Sequence, residues 1–66
     1  MDVTFEPLLT VKEVANILKV RPETVRGEIS AGRLAALRIG AKGGATRIRP
    51  EWLHIYLEKR KFLVEN

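Results

Sequence analysis

The stretch LLTVKEVANILKVRPETVRGEISAG, residues 8–32, holds two helices with almost nothing between them. Thr10 and Glu13 have the spacing of a capping box, in which the hydroxyl accepts from one free amide of the first turn and the carboxylate from another. Leu9 before the cap and Val14 after it form a hydrophobic staple. A first helix therefore starts at Val11; Val11, Val14, Ala15 and Leu18 share one stripe, and Lys12, Glu13, Asn16 and Lys19 fall elsewhere. Pro22 suits the first position of a second helix, because its φ is fixed and an amide there would have no intrahelical partner. That helix runs to about residue 31, where Gly32 offers a left-handed cap. Only Val25 and Ile29 are large and apolar in it, which leaves a wide exposed face with Glu23, Arg26, Gly27 and Ser30. Lys19, Val20 and Arg21 alone join the helices, and so short a link forces the sharp crossing of a helix-turn-helix.

Downstream, LAALRI and TRIR flank GAKGGA. Gly40, Gly43 and Gly44 can absorb positive φ, so the segment reads as a hairpin. Its strands are weak: Ala35 and Ala36 have poor strand propensity, and the assignment rests on the loop with Leu37, Ile39 and Ile48. A third helix opens at Pro50, with Ile48 and Leu53 at staple spacing and Trp52, Leu53, Tyr56 and Leu57 expected inward, and frays after Lys61. The expected fold is mostly α with a small β-hairpin, a winged helix-turn-helix of three helices and a two-stranded wing. Residues 1–8 read as an arm, 9–61 as the domain and 62–66 as a tail.

Sixty-six residues with 45% hydrophobic content leave no material for a second core. So short a chain buries too little surface to wall off a deep substrate cavity. With no cysteine, disulfides, thiolate metal sites and thiol nucleophiles are excluded. One histidine, His54, cannot build a metal cage among scattered carboxylates and reads as a surface or rim residue. GAKGG departs from the phosphate-binding pattern that ends in Gly-Lys-Ser/Thr and opens no helix. Trp52 and Tyr56, at i and i+4, are read as core residues ahead of a base-stacking platform. Neither an enzyme nor a cofactor is expected. No apolar run is long enough to span a membrane and Met1-Asp2-Val3 lacks the basic start of a signal peptide, so a cytoplasmic, nucleoid-associated protein is expected.

Net charge is +4, and its placement matters more than its sum. Residues 20–50 hold Arg21, Arg26, Arg33, Arg38, Lys42, Arg47 and Arg49 against Glu23 and Glu28 alone, whereas the flanking segments are nearly neutral. Six of those seven cations are arginine, suited to planar, bidentate contact with phosphate and guanine. A merely solvated basic surface is the competing reading. The exposed second helix, the glycine loop and the excess charge coincide, however. A polar-faced helix of about ten residues fits a major groove ~12 Å wide, and a hairpin tipped by Lys42 can reach a neighbouring minor groove or phosphate.

Residues 8–57 resemble the small winged-helix DNA-binding proteins of the excisionase type, which are related to the N-terminal domains of MerR-like regulators. The resemblance is carried by Leu9-Thr10 with Glu13-Val14-Ala15, Thr24-Val25, Gly32 with Leu34, Arg38 with Gly40, and Arg47-Ile48. Three departures stand out. Lys19 replaces a usual glycine, Arg21 replaces a usual Ser or Thr cap, and Pro50 lies one residue later than the family's proline. The first two should cost stability, as though turn and cap had been given over to phosphate contact.

The resemblance implies an architectural DNA-binding protein that occupies repeated sites beside an attachment site, bends the DNA and helps an integrase run excision. The second helix would then read the major groove through Arg21, Glu23, Thr24, Arg26, Gly27 and Ser30, with Arg26 on guanine O6 and N7 and Glu23 accepting from cytosine N4. Arg38, Lys42, Arg47 and, as a further candidate, Arg49 would hold phosphates or enter the minor groove. The first helix would be support. Gly27, outward and mid-helix, would let the backbone approach a base edge. Two other roles stay open: a small transcriptional regulator, and an adaptor that docks a protein through the tail residues Phe62, Leu63 and Val64. Without the long dimerisation helix of MerR-like regulators, monomers assembling cooperatively on DNA are expected.

Overall fold

The computed structural model of the chain describes residues 7–42 and 44–60. Residues 1–6 of the expected arm, Gly43, Lys61 and the tail 62–66 lie outside the described residues. The order is β1 (Leu9–Thr10), α1 (Val11–Leu18), α2 (Pro22–Ser30), β2 (Leu37–Ile39), β3 (Ala45–Ile48) and α3 (Pro50–Arg60).

The capping box forms as the spacing requires. Thr10 Oγ1 accepts from the Glu13 amide at 3.0 Å and Glu13 Oε1 accepts from the Thr10 amide at 2.8 Å. Both N-terminal helices close in the same way. At α1 the Val20 amide reaches the Ala15 carbonyl at 2.9 Å and the Lys19 amide reaches Asn16 at 3.3 Å; at α2 the Arg33 amide reaches Glu28 and the Gly32 amide reaches Ile29, each at 3.0 Å. Such paired bonds need one left-handed residue, Gly32 at φ 80° in α2 but Lys19 at φ 59° in α1. A lysine there is strained by about 1 kcal/mol, because its Cβ crowds the following carbonyl. At the start of α2, Arg21 occupies the cap position without a side-chain cap bond.

The expected two-stranded wing forms from β2 and β3, and β1 adds to the other edge of β3, making a three-stranded sheet in the order β1-β3-β2. Leu9 pairs with Ile48 and Thr10 with Arg47, both antiparallel. The reason is local: as the cap of α1, Thr10 is held extended at φ −83°, ψ 164°, so the chain entering α1 can already add to the free edge of β3. Ala35 and Ala36 stay outside β2. Gly40 takes φ 98° at the turn, and a Cβ on Gly44 would collide with the Ile39 carbonyl oxygen.

Val11, Val14, Ala15, Val25, Leu34, Ile48 and Leu53 form the core. Leu34, just past the α2 turn, is almost wholly buried, a core position the strand reading of LAALRI passed over. Leu18, Ile29, Trp52 and Tyr56 pack against this core from its rim. Leu57 was expected inward and is exposed, as is Ile55: α3 meets the core through Leu53, its one buried residue among those described, with Trp52 and Tyr56 at the rim. Among the described residues no helix is long and apolar enough to cross a membrane.

Candidate nucleic-acid interface

Burial of Val25 and partial burial of Ile29 fix the rotation of α2. At 3.6 residues per turn, Arg26 and Ser30 fall on one flank, Glu23 and Gly27 on the outer face, and Thr24 and Glu28 on the opposite flank. Glu23, Thr24, Arg26, Gly27 and Ser30 are all exposed. So is Arg21 at the helix entry, and so is Lys42 in the hairpin loop.

On the Arg26 flank lies a cleft of about 460 Å³. Its cations come from four elements: Lys12 of α1, Arg26 of α2, Arg38 of β2 and Arg47 of β3. Ser30 and Thr46 add hydroxyls, and no carboxylate lines it. Among the described residues Lys12, Arg26 and Arg38 have no acidic partner, and Arg47 donates only to the Thr46 carbonyl, at 2.9 Å. Four cations around one concavity with no acid among them favour a polyanion that approaches from outside. Of the residues singled out from sequence, the cleft thus gathers Arg26, Ser30, Arg38 and Arg47. Arg49 is elsewhere, 3.4 Å from Glu51 and stacked over Trp52 at 5.7 Å.

Lys12 is the cleft residue that the sequence reading missed by treating α1 as support. Its place in the first turn, two residues after a strand-like cap, was the available signal, but only the β1–β3 pairing turns that end of α1 toward the wing.

The opposite flank is built differently. Glu28 accepts from Arg33 Nε at 3.1 Å and Nη2 at 2.8 Å, from Tyr56 Oη at 2.8 Å and from Arg60 Nη2 at 3.0 Å. The Arg33 hydrogen bond above all, then that of Tyr56, lowers the Glu28 carboxyl from 4.5 to about 2. Burial, and then the same Glu28 contact, raises the Tyr56 phenol above its ordinary value. This clamp ties the turn after α2 and the end of α3 to the back of α2.

Two helices crossing through a three-residue turn, one of them beside a basic hairpin wing, define a helix-turn-helix DNA-binding protein. The chain belongs to the helix-turn-helix domain family, which it matches over residues 8–61, and double-stranded DNA is the partner this membership implies. No curated protein and no solved structure matches the chain.

Proposed function

We propose that the chain is a sequence-specific DNA-binding protein of the excisionase type, which occupies sites beside an attachment site, bends the duplex and promotes integrase-mediated excision. The single observation that supports the contact surface is the acid-free cleft joining Arg26 of α2 to Arg38 and Arg47 of the wing. In this reading α2 enters the major groove. Arg26 donates to guanine O6 and N7, Glu23 accepts from cytosine N4, and Arg21, Thr24 and Ser30 flank them. The open space around Gly27 lets the helix backbone come close to a base edge. Arg38, Arg47 and Lys42, joined by Lys12, hold phosphates on either side of that groove and set the register without reading sequence. The role in excision rests on the resemblance over residues 8–57, and places the protein in the cytoplasm on nucleoid DNA.

Footprinting on a phage-type attachment region, coupled to an excision assay with a site-specific integrase, tests it. Protection of repeated sites and an excision yield that depends on the chain are expected. Protection of a promoter with no effect on excision would replace this role by transcriptional regulation.

A further inference from the structure

The cleft between α2 and the wing is a concavity as well as a basic surface. Its volume of about 460 Å³ falls in the range of a small-ligand site, and Lys12, Arg26, Arg38 and Arg47 reach it from four different elements. Its apolar lining is Val11, which is buried, and Ile29, which is half-buried. Like charges set beside low-dielectric walls concentrate their field within a cleft. The acids nearest to these cations in sequence are engaged elsewhere: Glu13 accepts from the Thr10 amide, and Glu28 from Arg33, Tyr56 and Arg60.

A duplex answers only part of that charge. Along one strand each phosphate carries a single charge and a sugar separates it from the next, and a stiff double helix cannot fold several of them into one concavity. Phosphates joined through single oxygens form a flexible chain that is denser in charge: three in a row carry about four negative charges at neutral pH, enough to meet every cation of the cleft. The hydroxyls of Ser30 and Thr46 add donors for its oxygens. None of the residues that line the cleft is aromatic, so nothing there stacks a nucleobase, and the phosphate chain itself is what the site can recognise. We propose that the cleft takes a free oligophosphate, a chain of three or more phosphates that is inorganic or the end of a nucleotide, and that a chain seated there keeps DNA out. Oligophosphate binding is a property of the cleft by itself, whereas the exclusion of DNA rests on the reading of that cleft as the DNA contact surface.

The test is a titration of the full chain with sodium tripolyphosphate, orthophosphate and metal-free adenosine triphosphate at matched ionic strength, followed by ¹H–¹⁵N shifts. Tripolyphosphate should move the resonances of Lys12, Arg26, Arg38 and Arg47 along a single-site isotherm and bind about tenfold more tightly than orthophosphate, and adenosine triphosphate should match it. Arg38→Ala, at an exposed position, should weaken tripolyphosphate about three- to fivefold, and Lys59→Ala, an equal loss of charge on α3 outside the cleft, should leave it unchanged. A random-sequence duplex bound at low salt should be released by tripolyphosphate and not by sulfate at the same ionic strength. Affinity no better than that of orthophosphate, or equal losses from Arg38→Ala and Lys59→Ala, would overturn the site, since the charge would then act diffusely. Adenosine triphosphate bound much more tightly than tripolyphosphate would overturn recognition of the phosphate chain alone. Two results separate the proposal from the DNA reading. A duplex that moves the cleft resonances when tripolyphosphate does not would overturn the oligophosphate site and leave DNA in the cleft, whereas a duplex that stays bound while tripolyphosphate fills the cleft would overturn the exclusion and remove DNA from it.

Discussion

Both flanks of α2 carry cations and use them in opposite ways. On the Arg26 side Lys12, Arg26, Arg38 and Arg47 surround a cleft without a carboxylate. On the Glu28 side Arg33 and Arg60 converge with Tyr56 on a single acid. Positive charge that is answered within the fold serves to hold the helix, whereas positive charge left unanswered is available to a polyanion. Sequence charge alone does not separate the two, since Arg26 and Arg33 are both arginines in one basic segment.

The largest effect on stability is expected from Glu28→Gln, which alters the acceptor of three side chains at once. Because the folded carboxyl titrates near 2 and the unfolded one near 4.5, its stabilisation is complete above about pH 5 and is lost as pH falls toward 2. Thermal melts across that range should show the wild type weakening steeply on acidification and Glu28→Gln, less stable at neutral pH, weakening less. Equal acid sensitivity in both would mean that the clamp does not hold α2.

The largest effect on binding belongs to the other flank. Arg26→Ala should cost ~1–3 kcal/mol on the specific duplex and little on a random one, with Tm unchanged. Fluorescence anisotropy on the two duplexes checks it, and equal losses on both would remove Arg26 from sequence reading.

Lys19 tests whether strain has been exchanged for charge. With φ at 59° it sits where glycine is at ease, so Lys19→Gly should gain about 1 kcal/mol of stability in denaturant melts. If the lysine was placed there for phosphate, the same variant should bind DNA more weakly at low salt. Gly27→Ala also sets stability against affinity. Nothing lies within 4 Å of the added Cβ, so stability should rise by roughly 0.5–1 kcal/mol as the unfolded chain loses freedom. Affinity for the specific site should fall if α2 lies close against the bases. An alanine variant that is more stable and binds as well as the parent would leave space at that position in the complex.

The smallest effect is expected at single phosphate contacts. With about five such contacts the slope of log affinity against log salt should be roughly −4 to −5. Lys12→Ala and Lys42→Ala should each flatten it by about one unit while weakening all sequences alike. A slope unchanged by Lys12→Ala would return α1 to a supporting role.

What was legible in the sequence was what depends on neighbours three or four residues apart. The Thr10–Glu13 box, Pro22 at the start of α2, Gly32 after its end and the glycine turn at Gly40 all follow from local geometry. The third strand was not legible, because Leu9 and Thr10 are too few to show alternation and their partners Ile48 and Arg47 are distant along the chain. The clamp was hidden for the same reason: Tyr56 and Arg60 lie 28 and 32 residues from Glu28. Leu57 was misplaced since helical spacing gives a stripe but not which of its members the core covers. In the cleft, Arg26, Arg38 and Arg47 were visible as a basic segment, whereas the joining of Lys12 to them required the fold.

The division between the two flanks is tested most directly by ¹H–¹⁵N shift mapping of the chain titrated with a duplex that carries its site. Amide and side-chain resonances of Lys12, Arg26, Ser30, Arg38 and Arg47 should move on binding, and those of Arg33, Tyr56, Lys59 and Arg60 should stay. Shifts concentrated on Arg33, Lys59 and Arg60, with Arg26 and Arg38 unmoved, would contradict it and put DNA on the clamp side of α2.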